Sequence, residues 1–295
     1  MTANNGVMAW KERLIQVLYI MVGLVIAFPI LYALMISFMD PAQVLAGGVN
    51  LIPKKWTLEN YRTALNSAPI MRFMWNSLIL AATSSVVRVI VSALAAFAFA
   101  FLDFPCKNLI FMAMLATIMI PADVVLVANY RTVSGMGLIN TYLGMMIVFF
   151  VSAMNIFQFR QSFKTFATTL KEAAHIDGCS NFTFFLRILL PTNISTVLTV
   201  FITAFIGTWN TYLWPLLVTN KTEMRTVQVG ITMLNFSEGT VYGPIMAASI
   251  MVLLPSLILF LTFQKRIVSG MMAGGVADIC FFQAIHEDSA CVSRQ

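Results

Sequence analysis

The side chains that could do chemistry are scarce and gather in one stretch of the sequence. Charged residues make up only 10% of the 295 residues, yet five ionisable side chains lie within residues 171–191. They are Lys171, Glu172, His175, Asp177 and Arg187. Apolar runs long enough to cross a bilayer lie on both sides, so this polar island must lie in water. It is either a solvated hairpin between two membrane helices or a surface that contacts a partner.

Neither catalysis nor metal binding is indicated by these residues. The two histidines, His175 and His286, lie in different segments, and no cluster of histidine and carboxylate side chains suggests acid–base chemistry. His175 and Cys179, four residues apart, are too few to fill a tetrahedral metal site. The sequence contains no glycine-rich G-x-x-x-x-G-K-S/T segment to cradle nucleotide phosphates. We therefore predict that the chain is not an enzyme and has no catalytic, metal or cofactor-binding residues.

Helix propensity and turn chemistry predict the shape of this stretch. Residues 168–177 contain good helix formers, and Gly178 tolerates the positive φ that ends a helix. Phe182, Phe185 and Leu189 then recur at spacings of three and four, which predicts the apolar face of a second helix. The stretch is therefore predicted to be a hairpin of two helices.

The fixed positions of this hairpin resemble a known motif. Glu172-Ala173-Ala174 is followed after three residues by Gly178, then after nine by Ile188, and after one more by Leu190-Pro191. This spacing resembles the loop that defines the membrane subunits of binding-protein-dependent ABC importers. The resemblance implies that residues 163–191 form a cytoplasmic coupling loop that docks in a cleft of an ATPase subunit. It assigns eight residues to this contact: Glu172, Ala173, Ala174, Asp177, Gly178, Ile188, Leu190 and Pro191.

The resemblance also implies partners. An ATPase subunit dimer would hydrolyse ATP in trans, with ATP and magnesium bound there, and an extracytoplasmic solute-binding protein would deliver the cargo. A second homologous permease chain is expected, so that this chain forms half of the translocation pathway in the cell membrane of a prokaryote. The competing class is a secondary transporter driven by an ion gradient through Arg88 and Asp123, which leaves the loop motif unexplained.

The elements that must position the hairpin are apolar. Hydrophobic residues make up 59% of the chain, with 24 Phe and 20 Met, and the mean hydropathy is +0.85. So little polar surface cannot cover a soluble globule. The net charge of +6 is spread without a basic cluster, so nucleic-acid binding is not indicated. The sequence predicts an all-α, polytopic protein embedded in a lipid bilayer.

Six apolar runs are predicted to cross the membrane. They cover about residues 14–39, 71–101, 108–129, 143–158, 192–217 and 244–263. The organisation is therefore a cytoplasmic N-terminus at 1–13, a six-helix permease domain at 14–264 and a cytoplasmic C-terminal tail at 265–295. Basic residues divide almost evenly between the predicted inner and outer segments, so the orientation depends on the coupling loop facing ATP. Both termini are then cytoplasmic.

Two ionisable residues fall inside predicted spans. Arg88 lies in the second span and Asp123 in the third, and the short connector 102–107 would make these helices antiparallel neighbours. Both lie about 20 Å from the connector at the usual helical rise. Because intramembrane charges normally find a partner, Arg88 and Asp123 are candidates for an ion pair. The alternative is that the translocation cavity solvates one and the outer surface the other.

Aromatic residues gather at the end of the fifth span. Trp209, Tyr212 and Trp214 either form a belt at the membrane interface or, together with the Asn210 amide, line the substrate path. Sugar rings stack on aromatic faces and their hydroxyls bond amides, which makes Trp209, Asn210 and Tyr212 the candidate path residues.

Further strings extend the resemblance along the chain. Residues 220–242 form the predicted outer loop between the last two spans, and part of this loop resembles a segment of maltose-type permeases that reaches the docked binding protein. Gln228, Val229 and Gly230 are the candidate contacts, and a solvated loop is the alternative. The strings at 56–61 and 137–142 also resemble carbohydrate-uptake permeases, and the string at 269–276 resembles the family's C-terminal signature. The tail at 279–295 has no derived role.

For the cargo, the resemblance points to carbohydrates, with glycerol 3-phosphate or its diesters as the rival. Asn66-Ser67-Ala68-Pro69 and the string from Trp209 to Pro215 look closest to glycerol-phosphate permeases. A phosphate would require Arg or Lys facing the pathway.

Overall fold

The computed structural model describes residues 4–45, 51–165, 168–232, 234 and 242–264. Within these ranges the regular structure is helical, apart from one isolated antiparallel bridge between Met39 and Trp56. The helices are α1 Asn4–Ser37, α2 Pro41–Leu45, α3 Glu59–Ser67, α4 Ile70–Phe101, α5 Lys107–Met119, α6 Leu126–Gly135, α7 Tyr142–Phe149, α8 Ala153–Lys164, α9 Thr168–Ile176, α10 Asn181–Thr192, α11 Ile194–Trp209, α12 Leu213–Val218, α13 Val227–Ile231 and α14 Tyr242–Gln264. The prediction of an all-α protein is confirmed.

Three helices are long and apolar enough to cross a bilayer. They are the Arg13–Ser37 part of α1, the whole of α4 and the whole of α14. They match the first, second and sixth predicted spans, respectively. Two bent pairs, α7 with α8 at 48° and α10 with α11 at 79°, raise the number of candidate spans to five. The described part of the chain is therefore a polytopic membrane protein with three to five candidate spans.

The third predicted span is broken, so the prediction of one continuous helix over 108–129 is wrong. α5 ends at Met119, and Ile120 adopts an extended conformation with φ −86° and ψ 116°. A residue that precedes proline is forced out of the helical region, and Pro121 follows. A turn at residues 121–125 then leads into α6.

The chain divides into two compact units. Among the described residues, the first comprises 4–45, 51–71, 230–232, 234 and 242–254, and the second comprises 72–165, 168–229 and 255–264. In the first unit, the buried Asn60 amide donates to the carbonyls of Ser37 at 3.1 Å and Met39 at 2.7 Å, which satisfies the C-terminal end of α1. A Cβ at Gly243 would overlap the Asn60 side chain. The string at 56–61 thus contains the residue that caps the first span.

Two apolar clusters form the core of the second unit. The larger one joins α4, α5, α8, α9, α10 and α11, and its seven buried phenylalanines are Phe97, Phe99, Phe111, Phe159, Phe163, Phe184 and Phe185. The smaller one joins α4, α6, α7 and α12 through Leu80, Val133, Met145, Met146, Trp214 and Val218. The larger cluster positions the hairpin of α9 and α10.

Candidate functional site

The predicted hairpin is present, and Gly178 makes its turn. The Cys179 N–H donates to the Ala174 carbonyl at 2.9 Å, a six-to-one bond that closes the C-terminal end of α9. Gly178 lies between them with φ +76°, in the left-handed region that glycine adopts without strain. A Cβ there would meet nothing within 4 Å. The requirement for glycine is therefore conformational, and steric crowding plays no part.

The return helix α10 begins with a side-chain cap and then widens. The Ser180 hydroxyl accepts a bond from the Thr183 N–H at 3.2 Å, as expected of an N-cap serine. Between Phe185 and Leu189 the helix takes wider, π-helical turns. Phe184 and Phe185 are both buried as a result, whereas Phe182 is 63% exposed. Of the predicted apolar face, Phe185 and Leu189 are therefore buried, whereas Phe182 is exposed.

Aromatic packing fastens the hairpin to the C-terminal end of α4. The Phe185 ring lies 5.2 Å from that of Phe97, and the Phe184 ring meets that of Phe101 edge-on at 5.8 Å. The Lys171 ammonium donates to the Phe101 carbonyl at 3.1 Å. Such dense packing transmits displacement, so a force on the hairpin is passed to α4.

The predicted contact residues divide between the two faces of the hairpin. Glu172, Ala173 and Asp177 are exposed, as are Gly178 and Pro191. Ala174 is buried in the larger cluster, and Ile188 and Leu190 are half-buried beside it. Ala174, Ile188 and Leu190 therefore anchor the hairpin, and the other five can contact a partner.

One exposed residue of the hairpin was missed by sequence reasoning. Ile176 is 86% exposed and lies four residues after Glu172, on the same helix face. Ile176 therefore extends the exposed face formed by Glu172, Ala173 and Asp177 and is a further candidate for contact with a partner. Its spacing from Glu172 and Ala173 was the signal that could have identified it.

The structure does not bring Arg88 and Asp123 together. The Arg88 Nε donates to the Phe149 carbonyl at 2.5 Å, and its guanidinium lies 5.8 Å from the centre of the Phe149 ring. Asp123 is exposed in the turn that follows Pro121. Among the described residues the ion pair that forms is Lys107 with Asp103, at 3.5 Å. The predicted pair is absent because the break after α5 removes Asp123 from a helix beside α4.

The two tryptophans near the C-terminal end of α11 are part of the core. Trp209 is 2% exposed and stacks on Phe205 with ring centres 5.9 Å apart. The buried Trp214 donates from Nε1 to the Gly144 and Met145 carbonyls. Both tryptophans are therefore in the wrong place for an interfacial belt or for the substrate path. Of the candidate path residues, Asn210 and Tyr212 are exposed and remain predictions.

The candidate binding-protein contacts are also largely covered. Val229 is 0% exposed and Gly230 is buried, so neither is available on the surface. Gln228 is half-buried, and its amide donates to the Asn210 Oδ1 at 3.2 Å. Among the described residues of this loop, residues 220–223, Thr232 and Tyr242 are exposed.

A network of side-chain amides holds this earlier part of the loop. The Asn76 Nδ2 donates to the carbonyls of Glu223 at 2.8 Å and Arg225 at 2.9 Å, and the Tyr142 hydroxyl donates to the Asn76 Oδ1 at 2.7 Å. The Asn140 Oδ1 accepts the Asn220 N–H at 2.6 Å. Asn140 and Tyr142 belong to the string at 137–142, which therefore has a structural function.

Known proteins resemble this chain along most of its length. The family model described as binding-protein-dependent transport system inner membrane component matches residues 79–272. The sn-glycerol-3-phosphate transport system permease protein UgpE of Brucella melitensis is 33% identical over 271 residues, covering 88% of this chain and 96% of that protein. The arabinooligosaccharides transport system permease protein AraQ of Bacillus subtilis is 32% identical over 261 residues, covering 88% and 93%.

A solved structure has the same fold. It is a chain of a bacterial ABC transporter involved in the import of the acidic polysaccharide alginate. Its TM-score is 0.79 at 21% identity, and the match covers 90% of this chain and 98% of that one. At this identity the likeness concerns the fold alone.

Proposed function

The chain belongs to the family of binding-protein-dependent transport system inner membrane components, and from that premise we propose that it forms half of the translocation pathway of an ABC importer. It is a multi-pass permease of the bacterial inner membrane, and its family lacks an ATPase domain. Energy must therefore come from ATP and magnesium on a separate ATPase subunit dimer. A second homologous permease and an extracytoplasmic solute-binding protein complete the proposed assembly.

The hairpin carries this proposal. Its outward face offers Glu172, Ala173, Ile176 and Asp177 to a partner, while its inward face is fastened to α4 by buried aromatic rings. An ATPase that closes on ATP would displace the outward face and, through the cluster, the C-terminal end of α4. Each transport step is then a population shift between two pathway conformations, driven by their different contacts with the ATPase.

The proposed orientation follows from the same contact. If the hairpin faces the ATPase, the C-terminal end of α4 is cytoplasmic. Six crossings put both termini in the cytoplasm: α1, α4, α5 with α6, α7 with α8, α11 and α14. This count adds the short apolar helix α5, which is followed after the turn by α6, to the five candidate spans.

We propose a sugar or a glycerol 3-phosphate-like solute as the cargo. Support comes from the relatives, whose names specify sn-glycerol-3-phosphate in one case and arabinooligosaccharides in another. No observation favours an ion-gradient-driven transporter, because Arg88 bonds a backbone carbonyl and lies apart from Asp123. Uptake of labelled glycerol 3-phosphate and of an arabinooligosaccharide by the reconstituted importer, each competed by the other, would identify the cargo.

The function is tested by comparing substitutions at two glycines that have similar backbone conformations. Gly178 and Gly137 both have left-handed φ, +76° and +71°, with open space around them. A Val at either position costs about 1–2 kcal/mol of backbone strain. Gly178→Val should abolish ATP-driven uptake by the reconstituted importer, whereas Gly137→Val, remote from the hairpin, should retain most of it. Equal uptake by the two variants would contradict the proposal.

A further inference from the structure

Three cations bond carbonyls at the C-terminal end of α4, and a fourth, Lys164, lies about one helical turn after one of them, Arg160. The Lys107 ammonium donates to the Leu102 carbonyl at 2.6 Å, the Arg160 Nε to the Phe99 carbonyl at 3.4 Å, and the Lys171 ammonium to the Phe101 carbonyl. The last carbonyls of a helix lack intrahelical partners and carry its negative pole. Three of the cations therefore satisfy the end of α4, and the fourth, Lys164, does not.

Lys164 has no such partner. It is exposed, and within the described residues it makes no hydrogen bond and no ion pair. Partial burial and the positive charges of Arg160 and Lys107 lower the pKa of the Lys164 ammonium, and Arg160 lies four residues earlier on the same face of α8. Among the described residues, the carboxylate that pairs with one of these cations is that of Asp103. It lies 3.5 Å from the Lys107 ammonium and is itself fully exposed. The cluster therefore carries positive charge that the described residues do not neutralise.

One of these cations, Arg160, is held in place by a buried aromatic ring. The Arg160 guanidinium lies 3.9 Å from the centre of the buried Phe111 ring, a cation–π contact that fixes the side chain. Phe111 belongs to the larger apolar cluster. The cationic group is thus positioned before any ligand arrives, which lowers the entropy cost of binding one.

Next to the cations, the exposed surface of α5 is aliphatic. α5 starts at Lys107 and exposes Leu109, Ile110 and Met112 over its next turns. A basic patch at the end of a span, continued by an exposed aliphatic face, matches a molecule with an anionic head and hydrocarbon chains. In a protein embedded in a bilayer, that molecule is a phospholipid.

We propose that Lys164, together with Lys107 and Arg160, binds the phosphate of an anionic phospholipid whose acyl chains lie along α5. The inference rests on the membrane position of these helices and not on the proposed cargo or ATPase. Each cation near an anionic membrane surface contributes roughly fivefold to such a preference.

The test measures protection of the Lys164 amine. The full chain is placed in nanodiscs of phosphatidylcholine, with or without phosphatidylglycerol, and labelled with an acetylating reagent, and labelling at each lysine is followed by mass spectrometry. Phosphatidylglycerol should slow labelling of Lys164 roughly fivefold. Lys221, exposed in the loop at 220–223, is the matched control. Equal slowing at both lysines would reflect only the general surface potential and would overturn the site.

One variant and two competing ligands distinguish a bound phospholipid from other molecules that could occupy the site. Lys107→Gln should reduce the protection of Lys164, with Lys221 labelling as the check on folding. Protection by inorganic phosphate in phosphatidylcholine discs would make this a free-phosphate site and overturn the proposal. Protection by the ATPase subunit without any by phosphatidylglycerol would also overturn it. Because nanodiscs expose both faces and no transport is measured, the result is independent of the proposed orientation and function.

Discussion

The two ends of α4 are held by different balances of apolar packing and hydrogen bonding, although Lys171 also donates to the Phe101 carbonyl at the hairpin end. At the hairpin end, Phe97 and Phe101 pack against the rings of Phe185 and Phe184. At the loop end, Asn76 bonds the carbonyls of Glu223 and Arg225. Apolar packing is insensitive to direction and survives small shifts, whereas hydrogen bonds fix a single backbone path. The hairpin end is therefore suited to transmit motion, and the loop end to hold a surface in place.

The first test of this difference removes an aromatic ring that anchors the hairpin to α4. Phe185→Ala deletes a buried ring, and such a change costs about 3–5 kcal/mol of the free energy of unfolding. The matched control, Phe182→Ala, removes a ring that is mostly exposed and should change that free energy by less than about 1 kcal/mol. Denaturation of the purified chain in detergent measures both. Similar losses for the two variants would mean that the aromatic cluster does not anchor the hairpin.

The second test acts at the loop end. Asn76→Ala leaves two carbonyls and the Tyr142 hydroxyl without their partner, which should cost about 1–3 kcal/mol. Hydrogen exchange should quicken at residues 222–228 and stay unchanged at α9 and α10. Asn108→Ala, at an exposed asparagine of α5, is the control. Faster exchange in the hairpin as well would show that the two ends are not independently fastened.

The two ends also differ in how far their sequence predicts them. The hairpin is a local structure, because Gly178, Ser180 and the helix formers before them specify the turn within a few residues. Its buried face was harder to predict, since the wide turns after Phe184 alter the helical period. At the loop end the decisive contacts join Asn76 to Glu223, which lie far apart in sequence. The resemblance to maltose-type permeases placed contact residues at Val229 and Gly230, which are buried.

The same limit explains two further misassignments. Trp209 and Asp123 were assigned from residue type and position in a predicted span. Burial of Trp209 against Phe205 depends on packing that a single sequence does not reveal. The displacement of Asp123 follows from Pro121, whose effect on Ile120 was predictable from the chain alone.

A third test, with a smaller expected effect, distinguishes residues that anchor the hairpin from residues that contact the ATPase. Ile176→Ala should leave the free energy of unfolding unchanged, because this side chain is exposed, yet weaken ATPase binding by more than about 1 kcal/mol. Val127→Ala removes another exposed aliphatic side chain, in α6, and should affect neither property. Titration of the ATPase against the reconstituted permease measures the difference. Equal affinities for the two variants would remove Ile176 from the contact.

The most direct test compares neighbouring alanines on the two faces of α9. Ala173 is exposed and Ala174 is buried in the aromatic cluster. In a chain whose own cysteines are replaced by serine, Ala173→Cys should cross-link to a cysteine in the ATPase cleft, with a yield that changes when ATP is added. Ala174→Cys should not cross-link. If Ala173→Cys yields no cross-link in any nucleotide state, the hairpin is not the surface on which the ATPase acts.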